Sequence, residues 1–247
     1  MRTVTSERGA RGGAIVAAVA AWMVLAGGIA PARAFTTPDC LAKKVKAWGE
    51  LRLCQRKEEA KAVQGRSADR AACQARFANA LDQIRADAAH SAIPCRYRDN
   101  GDNTVTDFDT GLMWAKLHAL DGFTSLSDIL DADNTFALND AAAAAATLTG
   151  TSTNGTNLTP VPGIGAHIDW RLPTIVELAT IVDTTTVACQ VGGPCIDPIF
   201  GLTAPGFYWA STTEDDSTGL LVNFQTGALF DGNPSFAAHA RPVRSAF

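Results

Sequence analysis

All six cysteines, Cys40, Cys54, Cys73, Cys95, Cys189 and Cys195, lie beyond residue 39, and their number is even. In an exported chain such a set pairs into disulfides, so three cross-links restrict the fold before any other feature does. The first 34 residues carry the premise of export. Arg2, Arg8 and Arg11 make a positive start, an apolar run extends from Ala14 to Ile29, and Ala32-Arg33-Ala34 is a small-x-small cleavage site. The run is shorter than the ~20 residues a spanning helix needs, and it ends in glycines and Pro31. Cleavage after Ala34 leaves 247 − 34 = 213 residues, bound for the periplasm, the cell surface or the outside, with no later membrane span expected. A metal role for the cysteines is disfavoured. There is no Cys-x-x-Cys pair, and His90, His118, His167 and His239 are scattered.

Residues 35–95 read as an antiparallel helical hairpin. Pro38 to Gln64 is rich in Ala, Lys, Leu and Glu, Gly65 breaks it, and Ser67 is placed to cap a second helix reaching Ala89. Leu41, Val45, Trp48 and Leu51 on one arm, and Phe77, Leu81 and Ile84 on the other, recur at helical spacing. Two helices bury little surface, so covalent staples are expected. Cys54 and Cys73 flank the turn, and Cys40 and Cys95 lie at the outer ends. The nested pairing fits a hairpin, although four cysteines allow three pairings. Cys189 and Cys195 flank Gln-Val-Gly-Gly-Pro and suit a local disulfide.

Residues 96–247 change character to an α+β pattern. Short strand-like runs fall at Asn103–Thr106, Leu112–Ala115, Phe207–Ser211, Gly219–Gln225, Ala228–Asp231 and Ala240–Ser245, with a hairpin turn at Gln225-Thr226-Gly227. Two helices are expected: Ala141–Leu148, capped by Asn139 or Asp140, and Ile175–Val182, opened by the capping box Thr174-x-x-Glu177. Thr149–Ile168 reads as a long loop. The hairpin holds 11 Lys+Arg against 7 Asp+Glu, a net of +4, and the remainder holds 6 against 17, a net of −11. This asymmetry suggests separate partners or mutual contact, while Lys43, Lys44, Lys46, Arg52 and Arg56 also suffice to keep a short helix soluble. Nucleic acid is excluded as a partner for an exported, net-acidic chain.

No catalytic constellation stands out, and a non-enzymatic role is expected. Arg171 and Glu177 bracket a proline and a helix start, which suits an internal polar network better than a ligand pair. Trp114, Trp170 and Trp209 sit in apolar, strand-like contexts that suit core packing better than sugar stacking. Asp99, Asp102, Asn103 and Asp107 invite a calcium reading, but the EF-hand test fails at Thr104 and Thr110. Beyond that candidate, no cofactor is expected. Glu214, Asp215 and Asp216 lie between two strands, and with Asn223 they are candidate ligand-binding positions.

Asp99–Asp107, Thr110-Gly111-Leu112-Met113-Trp114 and Asp169-Trp170-Arg171-Leu172-Pro173-Thr174 with Glu177, followed by Tyr208–Thr212, Val222-Asn223-Phe224 and Arg241-Pro242-Val243-Arg244, resemble the Lcl C-terminal domain family. That family is named for the terminal domain of a bacterial collagen-like adhesin. Arg-Leu-Pro-Thr with the following Glu is also similar to the sulfatase-modifying, formylglycine-generating family. Both resemblances imply a C-type-lectin-like fold. The adhesin's role implies attachment to sulfated glycosaminoglycans, yet a surface for such polymers should be basic, and only Arg96, Arg98, Lys116, Arg171, Arg241 and Arg244 supply positive charge here. The expected function is an exported recognition module that binds a glycan or cell-envelope component through its loops. The alternative is an envelope assembly protein whose hairpin binds a partner.

Overall fold

The computed structural model describes residues 36–91, 94–118, 128–148, 151–153, 158–160, 162–215 and 217–247. The expected signal peptide over 1–34 lies outside the described residues, as does Asp216.

Helix α1 (Thr37–Val63) opens with a capping box. The Asp39 N–H donates to Thr36 Oγ1, and the Thr36 N–H donates to Asp39 Oδ2 at 3.3 Å. It stops before Gly65, which takes a left-handed φ of 68°. Helix α2 (Arg70–His90) is capped by Asp69, not by Ser67. The Ala72 N–H donates to Asp69 Oδ1 at 2.9 Å. The Asp69 N–H is itself held by Glu58 Oε2 at 2.8 Å, so a carboxylate on α1 fixes where α2 begins.

The buried residues of α1 are Cys40, Lys44, Ala47, Leu51 and Glu58, so of the expected Leu41, Val45, Trp48 and Leu51 row only Leu51 is fully buried. Val45 is 43 % exposed. Cys40 packs against Ile84 and Ala88 of α2 and is bonded to Cys95 beyond its end. Cys40–Cys95 and Cys54–Cys73 form the nested staples, with Cα separations of 5.9 and 5.8 Å. Closing loops of 55 and 19 residues stabilises the fold by about 4 and 3 kcal/mol in the chain-entropy account.

The rest of the chain builds two main sheets. Strands β1 (Tyr97–Asp99), β2 (Thr104–Asp107) and β3 (Leu112–Ala115) form an antiparallel meander, closed by β9 (Val243–Ser245) pairing with β3. Helix α3 (Leu138–Ala146) carries no side-chain cap from Asn139 or Asp140. Its start is set by long-range backbone bonds instead, from the Phe136 N–H to Ala238 O and from the Leu138 N–H to Pro234 O, each 2.8 Å. Within the expected loop 149–168 lie a small hairpin, β4 (Thr151–Thr153) with β5 (Leu158–Pro160), and a single turn, α4 (Pro162–Gly165). Helix α5 (Ile175–Thr180) is followed by a further turn, α6 (Val187–Gln190), so the region has more than the two expected helices. The second main sheet is β6 (Phe207–Asp215), β7 (Thr218–Asn223) and β8 (Leu229–Gly232), all antiparallel. Strand β6 runs past the expected Ser211, so Glu214 and Asp215 belong to a strand end. Cys189–Cys195 closes a short loop beside α6.

Between the sheets and α3 lies one core that includes Trp114, Ile129, Leu130, Phe200, Tyr208, Trp209 and Phe224. Residues 35–247 form one compact unit, because the hairpin docks on this body. Trp48 Nε1 donates to Phe108 O at 2.9 Å, and the indole stacks on Phe247 with centroids 5.3 Å apart. Gly111, at φ 71°, makes room for it, since a Cβ there would lie 2.5 Å from the indole. Lys44, expected as a solubilising surface charge, is buried at this seam and pairs with Asp109 and Cys95 O. Arg85 reaches the other oxygen of Asp109 at 3.2 Å.

Candidate functional site

The segment Asp169–Leu178 is a junction between elements. Trp170 is in the core, and its Nε1 donates to Ile164 O at 3.0 Å. The Arg171 backbone exchanges both hydrogen bonds with Val243 at the start of β9. Pro173 O accepts from the Ser211 N–H at 2.7 Å, which joins β6. Thr174 and Glu177 form the capping box, and Arg171 grips Glu177 through two bonds of 2.7 Å each. Burial opposes charge on Glu177, but the Arg171 guanidinium and the Thr174 N–H outweigh it and hold the carboxyl below its ordinary range. The pair sits at the surface of the junction, with the Arg171 side chain 45 % exposed. Its role is to tie a loop to a helix start.

Trp114 and Trp209 are fully buried, and Trp209 Nε1 donates to Phe136 O at 2.8 Å. With Trp170, these indoles present no sugar-stacking face.

The calcium candidates do not converge. Asp99 accepts from Lys116 Nζ at 2.6 Å and from the Gly101 N–H at 2.9 Å. The ammonium holds its carboxyl below the usual range. Asp102 closes a local turn through Thr104, and Asn103 takes a left-handed φ of 68°. Asp107 is buried and pairs with Arg96 at 2.8 Å. Among the described residues, no group of three or more His, Cys, Asp or Glu is placed to hold a metal ion.

The loop candidates are also engaged locally. Asn223 is 9 % exposed, and its Oδ1 accepts from the Gln225 N–H at 2.8 Å, fastening the β7–β8 turn. Gly227, at φ 76°, completes that turn. Asp215 folds back on the Ser217 N–H and hydroxyl, each at 2.8 Å, and Glu214 is exposed. Every cation of the body has a structural partner. Arg244 pairs with Asp169, Arg171 with Glu177, Arg96 with Asp107 and Lys116 with Asp99. Arg98 bonds Asn100 and lies over the Phe108 ring, and Arg241 is buried in the core.

Sequence reasoning passed over two features. The first is the stretch Asp128–Asn134, where Asp128, Asp131 and Asn134 are buried. Asp128 Oδ1 accepts from the Leu130 N–H, and His239 Nδ1 donates to Asn134 O at 2.9 Å, which ties this stretch to the segment leading into β9. Its only signal in the sequence is a run of closely spaced acids. The second is a set of recesses along the hairpin. A cleft of about 780 Å3 lies between α1 and the chain end, lined by Trp48, Leu51, Arg52, Gln55, Arg56 and Phe247 among others. Two smaller recesses, of about 140 and 280 Å3, flank α1 and α2. None of these three is lined by Arg171, Glu177 or the candidate loop residues.

The protein is a disulfide-bonded α+β body clasped by a stapled helical hairpin. Residues 103–244, which are 142 of the 247, match the model of the Lcl C-terminal domain, and the chain belongs to that family. The hairpin precedes the matched region. No curated protein matches the chain. Among the described residues, no helix is long and apolar enough to cross a membrane.

Proposed function

We propose that the chain is an exported, non-enzymatic module of the cell envelope in which the family domain is a closed scaffold and the helical hairpin carries the contact with a partner. Three disulfides with no free cysteine, together with the leader-like first 34 residues, support export. The family membership and the two-sheet body closed by β9 support a C-type-lectin-like fold.

One observation carries the reading. Most of the functional candidates on the body, Asp99, Asp102, Asp107, Arg171, Glu177, Asp215 and Asn223, are spent on internal bonds, whereas the 780 Å3 cleft lies on the hairpin and is lined by exposed cations. This favours hairpin-mediated assembly over glycan binding through the loops. The glycan reading rests on Glu214 and Asp215 at the exposed end of β6. A basic surface for sulfated polymers is missing from the body, whose six cations are all engaged.

The exported chain should be screened on a glycan array with and without calcium, and cross-linked in intact cells. Silence on the array with a reproducible envelope-protein adduct is expected. A calcium-dependent glycan signal without an adduct would transfer the function to the loops.

A further inference from the structure

We infer that the cleft between α1 and Phe247 is a docking groove for an acidic segment of a partner polypeptide. The inference rests on the hairpin-contact reading above and names the chemistry of its partner.

Arg52 and Arg56 are four residues apart on α1, so both project along one face. Both are exposed, and neither forms an ion pair among the described residues. Their neighbours differ. Lys44 and Arg85 are spent on Asp109, Lys46 on Glu50 and Lys61 on Glu58. The one acidic side chain lining the cleft, Glu59, faces Arg70 at 3.8 Å. The groove therefore presents two guanidiniums outside any ion pair, Arg52 reaching only the neutral Ser245 Oγ at 3.4 Å, in a fork geometry suited to carboxylates. The body beneath carries a net −11 and repels polyanions in general, so the groove is a local positive exception.

The remaining lining favours a polypeptide over an acidic glycan. Trp48 is already stacked on Phe247 at 5.3 Å and packed on Phe77 at 4.3 Å, which leaves its ring poorly placed for a sugar. Leu51 and Phe247 form an apolar wall for side chains. Gln55 and Gln74 each offer an amide donor and acceptor, which match a peptide backbone. A volume of about 780 Å3 accommodates several side chains.

The probe is a short fluorescein-labelled peptide of alternating glutamate and leucine, titrated against the full exported chain by anisotropy. Binding should weaken as salt rises, because exposed charges are screened. Arg52→Gln with Arg56→Gln should weaken it by about tenfold or more, with an unchanged thermal transition because both positions are exposed. Lys57→Gln with Arg66→Gln removes the same charge elsewhere on the hairpin and should leave binding intact. No binding of the probe, an equal loss in both variant pairs, or tighter binding of a heparin oligosaccharide at the same arginines overturns the inference. If the envelope-protein cross-link persists while the probe fails, the acidic groove is refuted and the assembly reading stands. If no cross-link forms, the assembly reading fails first.

Discussion

Arg241 brings a guanidinium into the core, and among the described residues no carboxylate meets it. Its nitrogens donate to Ala115 O, Phe200 O and Leu202 O at 3.0–3.2 Å and to Thr203 Oγ1 at 2.6 Å. Burial lowers its pKa, and burial also pushes the neighbouring Tyr208 phenol up to about 12, against the opposing pull of the Arg241 charge. Arg241→Met should strand three carbonyls and cost about 3 kcal/mol, read as a loss of denaturant midpoint. Nothing in Arg241-Pro242-Val243-Arg244 separates this buried arginine from the half-buried Arg244, because the difference lies in which loops close over it. Arg171 and Glu177 were more legible, since a capping box is a local pattern that needs no tertiary partner. Glu177→Gln should cost about 1 kcal/mol at neutral pH. The Glu177 carboxyl is depressed in the fold, so its stabilisation is present above the unfolded value of 4.5 and is lost as pH falls through the folded value. The gap between variant and parent should close in acid. His239 acts higher on the scale. Burial lowers its pKa below 6.5, so the neutral ring stabilises the fold above that value, and stability falls as pH drops below it. His239→Gln should flatten that limb in thermal scans between pH 7 and pH 5.

At the scale of elements, propensity and caps located α1, α5 and most strands of the two sheets, because these elements are set by neighbouring residues. The start of α3 was not legible, since bonds to Pro234 and Ala238 set it from almost a hundred residues away. On α1 the apolar spacing located Leu51 but not Lys44, whose burial depends on meeting Asp109, a partner 65 residues away. The docking of the hairpin through Trp48 depends on Gly111, whose need for a positive φ is invisible in sequence. Trp48→Ala should cost about 3 kcal/mol and raise hydrogen exchange in α1. Gly111→Ala should also undock the hairpin, and in the double variant part of the penalty should vanish, because the clash is with the indole itself. Replacing Cys40 and Cys95 by alanine should lower stability by about 4 kcal/mol, measured by denaturant unfolding without reductant.

Across the whole molecule, the charge asymmetry is partly resolved inside the chain. Lys44 and Arg85 of the +4 hairpin meet Asp109 of the −11 body, which is the mutual contact the sequence allowed for. Arg52 and Arg56 are among the hairpin cations that form no ion pair among the described residues, and Arg52 meets the body only through Ser245 Oγ at 3.4 Å. The body's own tryptophans and arginines close on one another, so the family signature reads as architecture, and in the proposed function contact with other molecules is assigned to the hairpin. The most direct test is a photo-cross-linking amino acid placed at position 56 or at position 215 of the exported chain in living cells. The account predicts a discrete protein adduct from position 56 and none from position 215. An adduct from position 215 with silence at position 56 would contradict it.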